Sequence, residues 1–346
     1  CFTSHLTKHR WLRVRRSLST AASLSAKAQS HSRPTVQTVL GPIAAEELGW
    51  TLAHEHFFTK TFDAPGMYLS DPILAGAELE DAKAVGTRSV IDLTTVDIGR
   101  DPAKLRALSQ STGVNIIMGT GWYVHKTYPD SIAFTSTNGL VETLLEEIED
   151  GVDGVYPGVI GEIGIANETI EAREERVFRA VARVHRTTGL PIFIHQQRTF
   201  SGPLALEILL EEGVEPNRVV FCHMDSITDF EAHERAVELG VWLSYDRIQG
   251  WDLVFQLRPW EVEHRIELLR RARQDAYLNR ILLSTDCCVL GDLRRYNGPG
   301  YAYTHGDFAE ILRTEAFTEN QLHGLFHSNP KSVLTGFSDA QVDPAS

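Results

Sequence analysis

The chain has 346 residues, of which 42% are hydrophobic and 23% charged, a composition typical of folded globular proteins and not of disordered or fibrous ones. Charged residues or histidines interrupt every apolar run before the roughly 20 residues that a membrane-spanning helix needs. The net charge of -13 argues against a nucleic-acid partner, because proteins that bind phosphate backbones carry basic patches. We therefore expect neither a membrane nor a nucleic acid as a partner.

The first 33 residues differ from the rest of the sequence. They contain seven lysines and arginines, several serines and no acidic residue. This composition is typical of a mitochondrial transit peptide, although an incomplete or wrongly assigned start of a chain that opens on Cys1 explains it as well. We predict a basic leader at 1–33 and a single folded domain at 34–346. The expected location is cytoplasmic, or mitochondrial if the leader is a transit peptide.

The four cysteines do not form a plausible disulfide framework. Cys1 lies in the leader, Cys222 stands alone, and Cys287 and Cys288 are adjacent. This pattern favours a reducing compartment.

Eight short apolar or β-branched runs follow one another along the domain and predict strands. They lie at 50–56, 88–94, 114–120, 158–164, 191–196, 219–225, 241–246 and 281–286. The segments between them carry helical spacing of apolar residues, and repeated strand–helix units with buried strands predict a (β/α)8 barrel. An open doubly wound sheet is the alternative, but no G-x-G-x-x-G motif follows the first strand and no phosphate-binding G-x-x-x-x-G-K-[ST] motif is present.

Ionisable side chains stand at the carboxyl ends of the predicted strands, which meet at one mouth of a barrel. These residues are His54, His56, Glu162, His195, His223 and Asp286. His54 and His56 are two residues apart, so on a strand they share one face, and Glu55 between them points away. A single histidine on a strand is more often a core residue than a ligand, but six coincident donors indicate a site.

Four imidazoles and two carboxylates exceed what one tetrahedral zinc ion uses. They suit two divalent metal ions that share a bridging carboxylate and a bridging hydroxide, with Glu162 as the carboxylate. Seven other histidines fall in predicted helices or loops and are expected at the surface: His125, His185, His233, His264, His305, His323 and His327.

Two segments resemble the phosphotriesterase family of the amidohydrolase superfamily. Residues 49–56 read GWTLAHEH and residues 90–101 read VIDLTTVDIGRD, and the resemblance extends from about Thr38 to Leu334. It implies an amidohydrolase-type TIM barrel, a homodimer and a binuclear centre of two divalent metal ions, with zinc the first choice. The donors that it implies are His54, His56 and Asp286 on one metal, His195 and His223 on the other, and a bridge from the fourth strand.

The bridging position departs from one branch of this family. Organophosphate hydrolases and lactonases of the family carry a carboxylated lysine there, whereas this sequence reads Gly161-Glu162-Ile163-Gly164. A direct glutamate resembles the phosphotriesterase-related branch, including the phosphotriesterase homology proteins. A carboxylate and a carbamate both offer two oxygens, so a metal pair can survive the exchange.

Two residues are candidates for substrate contacts. Tyr123, after the third strand, matches a tyrosine that contacts lactones in the lactonase branch, and a packing role is equally compatible with it. Arg247, after the seventh strand, matches an arginine near the pocket of some lactonases. Its guanidinium suits a carboxylate, phosphate or sulfonate, or a structural ion pair with Asp246 or another acid.

These expectations predict a metal-dependent hydrolase of a small molecule. Asp286 is the expected catalytic residue, acting as ligand and as proton shuttle toward the leaving group. The first choice of substrate is a lactone or ester. The alternatives are an amide of a small N-acylated amine or amino acid, a phosphotriester, a deaminase substrate, or no reaction at all in a metal-binding barrel.

Four further residues have expected roles outside the reaction. Cys287 and Cys288 are expected to be inert, because an activated water makes a thiol nucleophile unnecessary. Cys222 is expected to point away from the metals. Asp225 is expected either to support a ligand or to lie at the surface.

Overall fold

The computed structural model describes residues 34–60, 67–196, 199–249 and 259–337. The predicted leader at 1–33 lies outside the described residues. In the part of the chain that is described, no helix combines the length and apolar character needed to cross a membrane.

Eight parallel strands form one sheet whose order follows the chain. They are β3 (Trp50–Glu55), β4 (Thr87–Asp92), β5 (Asn115–Thr120), β6 (Val159–Ile165), β7 (Ile192–Gln196), β8 (Val219–Phe221), β9 (Trp242–Tyr245) and β10 (Ile281–Leu283). After β10 the backbone N–H of Asp286 donates to the carbonyl of His54 in β3, at 3.2 Å. The sheet thereby closes on itself, and the predicted (β/α)8 barrel is confirmed.

Helices follow the strands and cover the outside of the sheet. They are α1 (Pro72–Ala84), α2 (Pro102–Thr112), α3 (Ser131–Phe134), α4 (Thr137–Asp150), α5 (Ala172–Thr188), α6 (Gly202–Glu211), α7 (Phe230–Glu238), α8 (Pro259–Gln274), α9 (Ala309–Thr314), α10 (Glu319–His323) and α11 (Asn329–Thr335). The sequence sets their starts: Asp71 and Asp101 cap the amide groups of α1 and α2, each just before a proline at the first helical position.

A short antiparallel hairpin precedes the barrel and was not predicted. It consists of β1 (Thr35–Thr38) and β2 (Gly41–Ala44). Val36 of β1 belongs to the same buried cluster as Ala53, Ile91 and Phe193, which come from the barrel strands. The hairpin therefore contributes apolar contacts to the barrel core.

Two strands end earlier than their apolar runs predict. The runs at 219–225 and 281–286 give strands of three residues each, β8 and β10. Their ladders stop before His223 (φ 58°) and Asp286 (φ 49°), which adopt the left-handed conformation. A non-glycine residue in this region turns the chain sharply, so both side chains sit at the start of a turn and not within a strand.

Candidate metal centre

The barrel brings all six predicted donors to one buried cluster at the carboxyl ends of its strands. His54 lies in β3, with His56 directly after it. Glu162 lies in β6, His195 in β7, and His223 and Asp286 follow β8 and β10. Each of the six is buried, with at most 7% of its surface exposed.

Glu162 lies between histidines from three different parts of the barrel: β3, β7 and the turn after β8. Its Oε2 atom is 3.2 Å from His54 Nε2, 3.3 Å from His195 Nδ1 and 3.1 Å from His223 Nε2. The ring nitrogens of His195 and His223 are themselves 2.9 Å apart. This is the central position that a carboxylate shared between two metal ions would need.

Asp286 is the second carboxylate of the cluster. Its Oδ1 atom lies 3.2 Å from His56 Nε2 and 3.6 Å from His54 Nε2, and its Oδ2 atom lies 3.7 Å from His223 Nδ1. His54 and His223 thus face both carboxylates, whereas His56 faces Asp286.

The cluster meets the requirements of a cation site by geometry and by charge. His54, His223 and Asp286 bring donor atoms within 4.8 Å of one another, and Glu162 with His195 and His223 does the same. His54 Nε2 and Glu162 Oε2 are fully buried and have no well-formed hydrogen bond among the described residues. Buried polar atoms without partners are rare, and a bound cation would satisfy both. The residues present therefore fit divalent metal ions.

Electrostatic effects on the carboxylates agree with this fit. Burial alone would raise the pKa of Glu162, but His195, His54 and His223 outweigh burial and hold it well below its usual range. Burial would likewise raise the pKa of Asp286, but Arg247 and His54 lower it to about 2. Both carboxylates are ionised at neutral pH, as metal ligands must be.

Cys222 lies at the same cluster, contrary to expectation. Its thiol has donor-atom distances within 4.8 Å of His54 and Glu162, and it packs with the barrel core. The prediction that it points away assumed strand alternation through His223. The strand ends at Phe221 and His223 turns to a positive φ, so the alternation does not extend to this pair. Burial raises the pKa of the Cys222 thiol, which keeps it neutral.

Three residues that hold the donors were not identified from the sequence. Asp246, after β9, accepts hydrogen bonds from His54 Nδ1 at 2.9 Å and from His223 Nδ1 at 2.7 Å. Thr94 Oγ1 lies 2.9 Å from His56 Nδ1. Asp246 stands at a strand end like the six predicted residues, so its position alone was a signal that it belonged to the site.

Glu55 is the third such residue. It points away from the cluster as predicted, but it is fully buried and accepts hydrogen bonds from the loop that carries Asp286. The donors are Ser284 Oγ at 2.7 Å, Thr285 N at 2.8 Å, Thr285 Oγ1 at 2.6 Å and Cys287 N at 2.9 Å. Glu55 therefore fixes the turn from which Asp286 projects.

The two predicted substrate-contact residues both touch the cluster. The hydroxyl of Tyr123 lies 3.1 Å from His195 Nε2, and the Tyr123 backbone N–H donates to the carboxylate of Asp97 at 3.0 Å. Arg247 Nε donates to Asp286 Oδ2 at 2.9 Å, while 30% of the Arg247 side chain remains exposed. The ion pair of Arg247 is thus with Asp286 and not with Asp246.

The positions of several residues outside the donor set can be compared with expectation. Of the two alternatives for Asp225, the surface position is wrong: Asp225 is buried, and its Oδ2 accepts from Arg265 Nε at 3.0 Å. Of the seven histidines expected at the surface, His185, His233 and His305 are buried, because the helices that carry them turn those positions inward. None of these three belongs to a candidate metal group among the described residues.

The adjacent cysteines fit the expected inert role. Cys287 is buried, and burial raises the pKa of the Cys287 and Cys288 thiols well above the usual range. A thiol that stays protonated is a poor nucleophile.

Comparison with known proteins gives consistent results. Residues 34–334 match the profile of the Phosphotriesterase family. The N-acetyltaurine hydrolase of Xenopus tropicalis is 32% identical over 343 residues, covering 87% of this chain and 97% of that protein. The crystal structure of the Escherichia coli phosphotriesterase homology protein, complexed with phosphate in its active site, is 30% identical, with a TM-score of 0.78 and coverage of 83% of this chain and 99% of that one.

A lactonase from Listeria monocytogenes is also similar, with 25% identity, a TM-score of 0.79 and coverage of 87% of this chain and 99% of that one. Two of these relatives, an N-acetyltaurine hydrolase and a lactonase, are named for different activities. Because the profile match runs from the first hairpin to the last helix, the chain belongs to the phosphotriesterase family, a family of hydrolases.

Proposed function

We propose that the strand-end cluster holds two divalent metal ions, with zinc as the first metal to test. We further propose that the protein hydrolyses the amide bond of a small N-acylated amine that carries an acid group. N-acetyltaurine is the first compound to test. The observation that carries the metal proposal is the position of Glu162 Oε2, within 3.3 Å of nitrogens of three imidazoles, those of His54, His195 and His223. The amide proposal is supported by the N-acetyltaurine hydrolases, which match this chain over most of both lengths.

The proposed division of the donors between the two ions follows the family resemblance. His54, His56 and Asp286 would hold one ion, His195 and His223 would hold the other, and Glu162 would contribute an oxygen to each. Metal ions bound there would supply Lewis-acid activation of a water molecule and of the scissile carbonyl.

In the proposed reaction, Asp286 accepts and then donates a proton. As an ionised carboxylate at the edge of the cluster, it accepts the proton that the attacking water loses as the new C–O bond forms. It then returns this proton to the leaving nitrogen as the C–N bond breaks, so the amine departs neutral. The charge of Arg247 keeps the Asp286 carboxylate ionised before the reaction.

Arg247 is also the residue that suits an acidic substrate. Its Nε donates to Asp286, and its partly exposed guanidinium makes no hydrogen bond through the terminal nitrogens to any described residue. A sulfonate or carboxylate matches the planar fork of a guanidinium. An N-acylated amino acid or aminosulfonate bound in this way would place its amide near Asp286.

A lactone is the second candidate substrate. The observation that favours it is the hydroxyl of Tyr123, which lies 3.1 Å from His195 Nε2 and is therefore next to the reacting centre. Tyr123→Phe tests this role, since it removes the hydroxyl and leaves the ring. A loss of lactone hydrolysis with unchanged amide hydrolysis would assign the hydroxyl to lactones.

The deciding experiment measures initial hydrolysis rates of the zinc-loaded full chain. The panel contains N-acetyltaurine, N-acetyl amino acids, N-acetylethanolamine as a neutral amide, lactones and a chromogenic phosphotriester, with Glu162→Ala as the blank. We expect kcat/KM of about 10⁴ M⁻¹s⁻¹ or more for an acidic amide, the range usual for natural substrates. A lactone that reacts at this rate while the amides do not would overturn the amide proposal.

A further inference from the structure

Asp246 is a buried carboxylate that contacts the cluster without belonging to the predicted donor set. Each of its oxygens accepts a hydrogen bond from a different histidine: Oδ2 from His54 Nδ1 at 2.9 Å and Oδ1 from His223 Nδ1 at 2.7 Å. Oδ1 also accepts from the backbone N–H of His223 at 3.0 Å. Because a carboxylate only accepts, both Nδ1 atoms carry the proton, and the Nε2 atoms face the cluster as possible ligands.

Each of the two histidines that Asp246 holds would serve a different ion of the proposed centre. His54 Nε2 is 3.2 Å from Glu162 Oε2 and 3.6 Å from Asp286 Oδ1, the oxygen that also meets His56. His223 Nε2 is 3.1 Å from Glu162 Oε2 and 2.9 Å from His195 Nδ1. A single carboxylate thus contacts one donor of each proposed ion.

Asp246 is itself fixed from behind by a buried ion pair. Asp225 accepts hydrogen bonds from the backbone N–H groups of Asp246 at 3.2 Å and Arg247 at 3.0 Å. Arg265, whose side chain is 5% exposed, donates to the same Asp225 carboxylate at 3.0 Å. A group held in this way can impose its geometry on the rings that it contacts.

Thr94 offers a natural contrast. Its hydroxyl contacts Nδ1 of His56 at 2.9 Å, in the same way that Asp246 contacts its two histidines. It serves one histidine on one side of the cluster and carries no charge. Asp246 and Thr94 therefore support different numbers of donors.

We propose that Asp246 is a positioning residue that orients His54 and His223 together, so that its loss weakens both metal sites at once. This inference rests on the proposed function, because it takes the cluster to be a two-metal centre. It assigns to Asp246 no contact with substrate.

The test is a titration of the metal-stripped full chain with Zn²⁺ against a chromophoric chelator, and with Co²⁺ followed by its visible absorption. For Asp246→Asn we expect both metal affinities to fall by about 10- to 100-fold, the usual effect of removing a group that orients a ligand. For Thr94→Val, the matched control, we expect at most one site to weaken. The Co²⁺ spectrum should change for both ions in the first variant and for at most one in the second.

Two further measurements separate positioning from mere packing. Asp246→Glu keeps an acceptor carboxylate, and we expect it to restore part of both affinities. Thermal unfolding of the metal-free proteins should show a cooperative transition for Asp246→Asn, so that its metal affinities are those of a folded chain. Equal losses in the Glu and Asn variants, or wild-type affinity for two ions in Asp246→Asn, would overturn the inference alone. A wild-type chain that binds no metal would overturn the proposed function and this inference with it.

Discussion

His223 at the mouth of the barrel and His305 beside Trp50 are buried to almost the same extent, at 1% and 3% exposure, yet their surroundings differ. His305 packs between Trp50 and Phe326, and its Nδ1 meets the neutral hydroxyl of Thr87 at 2.7 Å. Burial lowers the pKa of His305 to about 3. Burial and Arg247 also act to lower the pKa of His223, but Asp246 and Glu162 outweigh them and raise it to about 9.

The difference shows what separates the candidate metal centre from an ordinary buried histidine. Burial alone disfavours positive charge, and His305 has no carboxylate among its described contacts to reverse this effect. At the mouth, Glu162 and Asp246 contact His54 and His223 and raise the pKa of both rings despite their burial. Carboxylates that favour a proton on these two rings also favour a metal ion, which can replace such a proton.

Removing the Glu162 carboxylate should have the largest effect on metal content and activity. Without it, the mouth histidines come closest to the environment of His305, which has no carboxylate among its described contacts. For Glu162→Gln we expect fewer than two metal ions per chain and a loss of kcat/KM of about 10³-fold or more, as several kcal/mol of transition-state stabilisation disappear. Elemental analysis and initial rates measure the two effects.

Glu78→Gln is the matched control, because Glu78 is an equally buried glutamate that holds the backbone amides of Arg294 and Arg295 instead of histidines. It should keep two metal ions per chain. Full metal content in Glu162→Gln would contradict the assignment of Glu162 as the shared ligand.

Asp286→Asn should separate proton transfer from metal binding. The amide still offers an oxygen to the cluster but accepts no proton, so we expect kcat to fall by about 10²- to 10⁴-fold with a much smaller change in metal content. Asp292→Asn, which changes a nearby carboxylate that caps the amides of Cys288 and Val289, is the comparison variant. An unchanged kcat in Asp286→Asn would rule out its role as the proton shuttle.

Substitution of Arg247 tests whether its guanidinium binds the acid group of the substrate. For Arg247→Met we expect KM for an acidic amide to rise by about 10- to 100-fold, the equivalent of one or two charged hydrogen bonds. KM for the neutral N-acetylethanolamine should change much less. Arg247→Lys, which keeps the charge and loses the fork, should lie between the two. Equal changes in KM for both amides would assign Arg247 to the support of Asp286 only.

The strand-end donors were predictable because their position follows from the strand pattern alone. Five of the eight predicted strands carry the six donors at or near their carboxyl ends, and a barrel must bring those ends together. Asp246 shares this position, but its role depends on hydrogen bonds to His54 and His223, and residues 54 and 246 lie 192 positions apart. No local pattern encodes such a partnership.

The predictions for Cys222, His233 and His305 were wrong for a different physical reason. Cys222 was misplaced because alternation holds only within a strand, and a left-handed residue after β8 reorients the chain in a way that apolar runs do not reveal. His233 and His305 were misplaced because a histidine on the inner side of a helix is hidden only once the helix has packed. His233 then contacts the Tyr245 hydroxyl of β9 at 2.9 Å.

The smallest expected effect concerns the stability that His305 contributes. Its folded pKa of about 3 lies below the unfolded value of about 6.5, so the unfolded chain binds more protons as the pH falls. The contribution of neutral His305 to the free energy of unfolding is complete above pH 6.5. It is lost as the pH falls toward 3, by about 2 kcal/mol between pH 7 and pH 5. Urea unfolding of the chelator-treated chain should therefore show a weaker loss over this range in His305→Gln than in wild type. His323→Gln, at an exposed position, controls for the removal of an imidazole as such. The mouth histidines are unchanged in both variants, so their titration cancels in the comparison with wild type. If the free energy of unfolding fell equally steeply with pH in wild type and in His305→Gln, burial without carboxylates would not set the charge of His305.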